Sequence, residues 1–178
     1  LPINKEKTTV AQDIHDLLNN LPWLIMLIVT VLVFINLALK GGAYIYYFSN
    51  YLDEAALVAF LENIGFNSFI QGLTSFFASL GFNHFEWPKD PATSAFSLFS
   101  ACSIIMQIIG IFFSKSIADR FGKRNTFGVG LFVSTIFLLV FNYFPKDAIG
   151  LCYISNILHG LAYGVTVPLL WAMVADVA

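Results

Sequence analysis

The sequence predicts an all-α membrane protein with four crossings, and three observations carry that prediction. Apolar runs long enough for the ~20 helical residues that cross a bilayer occur four times. Charged residues are only 11% of the 178, against roughly a quarter in an ordinary soluble domain, and the mean hydropathy is +0.77. The lysines and arginines that remain gather on particular connections rather than spreading evenly, which is the signature by which spanning chains are oriented.

Residues 1–22 read as a helix lying along the membrane surface. Thr9-Val10-Ala11-Gln12 has the Thr-x-x-Gln form of a capping box. Val10, Ile14, Leu17, Leu18 and Leu21 recur at helical spacing against Gln12, Asp13, His15, Asp16 and Asn19, the pattern of an interfacial helix. Pro22 is expected to end it.

The first span covers residues 23–48, with Trp23 at one interface and Tyr44, Tyr46 and Tyr47 near the other. Lys40-Gly41-Gly42 is expected to interrupt its outer third. Residues 49–94 are too many for an ordinary connection and read as an insert of two short helices. These run from Asp53 to Asn63, closed by Gly65, and from Ser68 to Leu80, closed by Gly81. Burying Glu62, Asn63, Asn67 and Gln71 in hydrocarbon is costly, so the insert is expected to lie on the outer surface.

Three more spans follow at residues 95–117, 127–144 and 149–177, with a turn at 118–126 and Pro145-Lys146-Asp147 closing the third. Lys115, Arg120, Lys123 and Arg124 crowd that turn, Lys5 and Lys7 precede the first span, and the insert holds only Lys89. By the positive-inside rule the turn and the start are cytoplasmic and the insert lies outside, as in a multi-pass protein of a bacterial inner membrane. The chain opens at Leu1 without a leader-like run and stops at Ala178 directly after an apolar stretch, so both ends are expected to be truncations.

Several function classes find no residues here. The formal net charge of -2 and the absence of a basic face give no support to nucleic-acid binding. Cys102 and Cys152 sit singly in apolar runs and offer neither a disulfide framework nor metal-ligand spacing. No phosphate-binding loop, nucleophile elbow or His-Glu-x-x-His helix occurs, so no catalytic residue, metal ligand or enzyme activity is assigned. His15 and His84 read as solvated side chains.

Two constellations remain as candidates. The first is the turn Ala118 to Arg124, in which Asp119, Arg120, Lys123 and Arg124 surround Gly122. It reads either as a latch that pairs with neighbouring helix ends in one conformation and releases in another, or as a topology signal that also binds lipid phosphate. The second is the last span, where Asn156, His159, Tyr163, Thr166 and Trp171 fall mostly along one face. Hydroxyl-bearing rings need hydrogen-bonding groups plus an aromatic platform, which this face offers. Interhelical hydrogen bonding, at roughly 0.6 kcal/mol each, is the competing role for the polar members. Trp171, about 7.5 Å along the helix from Asp176, fits packing at an inner gate.

Gly160 and Gly164 form a Gly-x-x-x-Gly pair suited to close helix approach, and Pro168 removes a backbone hydrogen bond and is expected to bend the span. They read as either packing or motion. Lys40 is about 25 Å from Trp23 along the first span and is expected to snorkel to outer headgroups. Asn36, one turn earlier, would share a vestibule with it.

The Asp119-Arg120-Phe121-Gly122-Lys123-Arg124 turn resembles the one joining the eighth and ninth helices of the major facilitator superfamily. Pro168-Leu169-Leu170-Trp171-Ala172-Met173-Val174-Ala175-Asp176 is similar to the tenth-helix signature of the glycoside-pentoside-hexuronide:cation symporters, the melibiose-permease-like family. The Tyr46 to Tyr51 run resembles the end of that family's seventh helix, and the insert is the main departure. The resemblance implies helices seven to ten of a twelve-helix fold, a partial carboxy-terminal half, performing sugar:cation symport by alternating access. It implies a small-molecule sugar, membrane lipids and the amino-terminal half as partners. A coupling sodium ion or proton is implied too, its ligands lying in helices this chain does not contain. Other facilitator carriers, of lipid, peptide or other solutes, and a non-transporting membrane scaffold remain alternatives.

Overall fold

A computed structural model of the chain describes residues 9–82, 84 and 86–177. The basic pair Lys5 and Lys7 and the terminal residues Leu1 and Ala178 lie outside the described residues. The described residues contain helices and connections without a strand. In order these are α1 (Val10–Asn19), α2 (Leu21–Asn50), α3 (Glu54–Asn63), α4 (Phe66–Ser79), α5 (Pro91–Phe121), α6 (Lys123–Val140), a short 3-10 turn (Phe141–Tyr143) and α7 (Ile149–Val177).

Helix α1 starts with the expected reciprocal cap: Gln12 N–H donates to Thr9 Oγ1 at 3.4 Å, and Thr9 N–H donates to Gln12 Oε1 at 3.1 Å. Pro22 does not end it. The helix stops at Asn19, Asn20 caps α2 by accepting from Trp23 N–H at 3.2 Å, and Pro22 sits in the first turn of α2. That position needs no N–H, so proline fits it.

The expected break at Lys40-Gly41-Gly42 is also absent, because α2 runs through it unbroken to Asn50. Two glycines weaken a helix by about 1 kcal/mol each, whereas an opened backbone in hydrocarbon leaves polar groups unsatisfied at several kcal/mol each. The expected turn at 118–126 shrinks to one residue: α5 extends to Phe121 and α6 begins at Lys123. Gly122, at a φ of 84°, takes the reversal in a backbone region that side chains disfavour.

Helices α2, α5, α6 with its 3-10 extension, and α7 are each long and apolar enough to cross a membrane. They alternate in direction. At one end Asn20 Nδ2 donates to Val177 O at 2.7 Å and Lys123 meets Asp176. At the other, Asp53 N–H donates to Lys146 O at 3.2 Å and Tyr153 OH to Ala95 O at 2.6 Å. We refer to these as the turn end and the insert end. Helix α7 packs along both α5 and α6, and α2 rests against α5 and α7.

The core sits at the insert end, where Tyr44, Phe48, Phe99, Phe141 and Tyr153 interlock. Phe48 and Phe99 lie 4.9 Å apart, and Tyr44 is 5.1 Å from both Phe99 and Phe141. Such pairs contribute about 0.5–1.5 kcal/mol each beyond area burial. Leu57 and Leu61 of α3 and Phe66 of α4 join the same cluster, so the insert is anchored to the spans. Asp90 begins α5 by accepting from Thr93 N–H at 2.9 Å, and hydrogen bonds from the Thr93 side chain and backbone hold its carboxyl below the usual carboxylate range.

Candidate functional site

The polar face of α7 divides into two parts. Toward the insert end its groups are bound to neighbouring helices: Tyr153 to Ala95 O, Ser155 Oγ to Phe137 O at 2.8 Å, and Asn156 Nδ2 to Phe99 O at 2.8 Å. Asn156 is 2% exposed, and its Oδ1 has no hydrogen-bond partner among the described residues. It lines neither of the cavities described next.

Farther along, His159 is 6% exposed and its Nδ1 lies 2.9 Å from Ser134 O on α6. A carbonyl can only accept, so Nδ1 carries the hydrogen and Nε2 of the neutral ring offers a lone pair. The imidazole stacks on Tyr163, with ring centroids 5.9 Å apart and planes within 9°. Both residues border a cavity of about 290 Å3, into which Asn36 from α2 and Ser134 and Thr135 from α6 also face.

A second cavity, of about 160 Å3, continues toward the turn end and shares Val33, Leu131 and Tyr163 with the first. Gln107, Thr166 and Trp171 border it. Thr166 turns its hydroxyl back onto Tyr163 O at 2.7 Å, which leaves its methyl side toward α6. Trp171 is 52% exposed and packs 6.3 Å from Phe34. Lys40 borders neither cavity; its ammonium lies 5.3 Å from the Tyr44 ring centre, a cation–π contact.

The helices around these cavities approach by their backbones. A Cβ added at Gly160 would sit 2.6 Å from Ser103 O, and one at Gly164 would collide with the Gln107 backbone, so both glycines are required by contact with α5. Gly110 answers them from α5, where a Cβ would meet Leu161 O. Pro168 lies inside the continuous α7. Ser114 Oγ donates to Val165 O at 2.7 Å, one turn before that proline.

At the turn end, Lys123 Nζ and Asp176 Oδ2 are 2.6 Å apart, joining the start of α6 to the end of α7. Both side chains are about half exposed. Asp119, Arg120 and Arg124 form no ion pair among the described residues; Arg120 lies over the Phe121 ring at 5.5 Å. A separate cavity of about 510 Å3, bordered mainly by apolar groups of α5, α6 and α7 with Asn125 and Thr126 at its edge, opens beside this end.

The sequence reading missed Gln107, Ser134 and Thr135 as cavity residues and Asp176 as the ionic partner of Lys123. The first three carried a signal, being polar side chains inside apolar spans. Asp176 carried none, because an acid 53 residues from its base shows no spacing.

A family model described as MFS/sugar transport protein matches residues 90–178, which hold α5, α6 and α7. No curated protein and no solved structure matches the chain.

Proposed function

The chain belongs to the MFS/sugar transport protein family of multi-pass membrane carriers, and we propose that it supplies helices seven to ten of a sugar:cation symporter working by alternating access. The observation that carries the proposal is the fixed imidazole of His159. Its Nδ1–H is spent on Ser134 O, its face on Tyr163, and Nε2 is left as an acceptor beside a cavity shared with Asn36 and Thr135. A sugar hydroxyl can donate to Nε2 and accept from the Asn36 amide while the ring rests against Tyr163. The coupling sodium ion or proton would bind in helices outside this chain.

In this reading the turn end faces the cytoplasm of a bacterial inner membrane, as the cluster of Lys115, Arg120, Lys123 and Arg124 argues. The Lys123–Asp176 bridge serves as the latch. A half-exposed pair contributes only about 0–1 kcal/mol, weak enough to open and close in each cycle. Arg124 and Arg120, which form no ion pair among the described residues, remain available to lipid phosphate. A second reading, a carrier of lipid-like solutes, is favoured by one observation: the cavity of about 510 Å3 between α5, α6 and α7 is almost wholly apolar.

Cysteine substitution tests the assignment. In the full-length carrier with Cys102 and Cys152 replaced, cysteines at Thr135 and Tyr163 are expected to react with a hydrophilic thiol reagent, and a transported sugar is expected to slow them. Unreactive cysteines at both positions would instead mark a packed scaffold.

A further inference from the structure

The cleft between the two insert helices is a built cavity separate from the α2–α6–α7 pathway. It holds about 490 Å3 and is bordered by Glu62 of α3, by Phe66, Asn67 and Gln71 of α4, and by Trp87 and Lys89 from the segment that leads into α5. Gly65, at a φ of 69°, takes the left-handed backbone that lets α3 pass directly into α4. Asn67 and Gln71, four residues apart, share one face of α4.

The opposite wall is pinned in place. Ser94 Oγ donates to Pro88 O, and Trp87 meets Phe66 edge-on at 5.7 Å. Phe66 belongs to the aromatic core, so the indole is held by the body of the protein. The charged and amide groups of the lining are uncommitted. Glu62 and Lys89 border the same cavity, yet neither forms an ion pair among the described residues. The side-chain amides of Asn67 and Gln71 make no hydrogen bond there either. A cleft between two solvated surface helices would leave its polar groups free in the same way, but it would not need an aromatic wall fixed to the core.

We propose that this cleft is a second sugar-binding site, a vestibule that takes a neutral glycoside of one or two rings before it enters the pathway. One acid and one base leave its lining without net charge. The two amides each provide donors and an acceptor, matching hydroxyls that do both. The indole covers the apolar face of a pyranose. The volume lies within the roughly 300–1,000 Å3 typical of small-molecule sites.

The inference rests on the sugar-carrier reading, and the experiment separates the two. Glycoside binding to the purified full-length carrier is measured by calorimetry, with initial uptake rates measured alongside for methyl glycosides, disaccharides and zwitterionic amino acids. Wild type is expected to bind a transported glycoside at two sites per chain. Gln71→Ala and Glu62→Gln are expected to bind at one site, with KM raised about fivefold, Vmax unchanged and the thermal midpoint unchanged, since both side chains are exposed. Trp87→Phe, which keeps the packing, is expected to raise KM by less than either polar variant.

A single site in wild type, unaltered KM in both polar variants of a working sugar carrier, or an amino acid in place of the glycoside overturns the vestibule alone. Wild type that neither binds nor moves any glycoside overturns the sugar reading and the vestibule with it.

Discussion

The two ends of this helical bundle are held by different physics. At the insert end four aromatic rings interlock around Phe99, tyrosine and asparagine side chains bond to backbone carbonyls across helices, and two extra helices cover the cluster. At the turn end one half-exposed ion pair and the asparagine contact from Asn20 join helices whose flanking side chains, Phe121, Val129 and Trp171 among them, are more than half exposed. A dense ring cluster is bistable only at high cost, because interiors this close-packed lose many contacts at once when they shift. A single exposed ion pair can exchange partners freely. If the bundle rocks during transport, the asymmetry makes the insert end the stiffer of the two and the turn end the readier to part.

The largest expected effect tests the closed end. Phe99 is 1% exposed and touches Tyr44, Phe48, Phe141 and Tyr153. Phe99→Ala should destabilise the carrier by about 3–5 kcal/mol. A thermal unfolding series in detergent measures it, and a loss no larger than that of an exposed Phe112→Ala control would remove the contrast in stiffness between the two ends.

Between the ends lies the glycine seam. A side chain at Gly164 meets the backbone of α5, which has no rotamer with which to yield. Gly164→Val should therefore cost about 1–3 kcal/mol through overpacking, and it should also slow transport by more than the stability loss explains. Gly128→Val, where an added Cβ meets nothing within 4 Å, serves as the control. Equal effects at both positions would mean that the seam is ordinary helix surface.

How much of this arrangement the sequence displays depends on the range of the interaction. The four crossings, the capping box at Thr9 and the close-packing glycines are local patterns, read from run length and from spacings of three and four residues. The continuity of α2 through Gly41 and Gly42 escaped that reading, because local propensity argues for a break and only the absence of water in the bilayer overrules it. The division of α7 into a bonded part and a cavity part escaped it for another reason. Asn156 and His159 are three residues apart on one face, and what separates them is the partner each meets: Phe99 O on α5 and Ser134 O on α6. Those partners are fixed by the way three helices cross, which no single stretch of chain records.

His159 supplies a smaller effect on the open side of the comparison. His159→Gln keeps a hydrogen-bonding side chain but cannot reproduce the ring that stacks on Tyr163, and His159→Ala removes both. Loss of one hydrogen bond to a sugar hydroxyl is worth about 1 kcal/mol, so KM for the transported sugar should rise about fivefold to tenfold in His159→Ala with less change in thermal stability than Phe99→Ala produces. Measured uptake kinetics with an unchanged KM would return His159 to a packing role alongside Asn156.

The smallest equilibrium effect belongs to the latch itself. Lys123→Ala should lower stability by less than about 1 kcal/mol, since the bridge is half exposed and competes with water. Its influence should appear instead in which side of the membrane the pathway opens to, because a bridge present in one conformation and absent in the other biases their ratio by its full strength. A double-mutant cycle with Asp176→Asn, read by thiol labelling at Tyr163 from each face, isolates that coupling from the separate roles of the two side chains. The coupling should shrink as ionic strength rises past about 0.15 M, where screening acts over roughly 8 Å. A coupling that is insensitive to salt would mean that Lys123 and Asp176 hold the helix ends by packing of their stems, and the turn end would then be closed as firmly as the aromatic end.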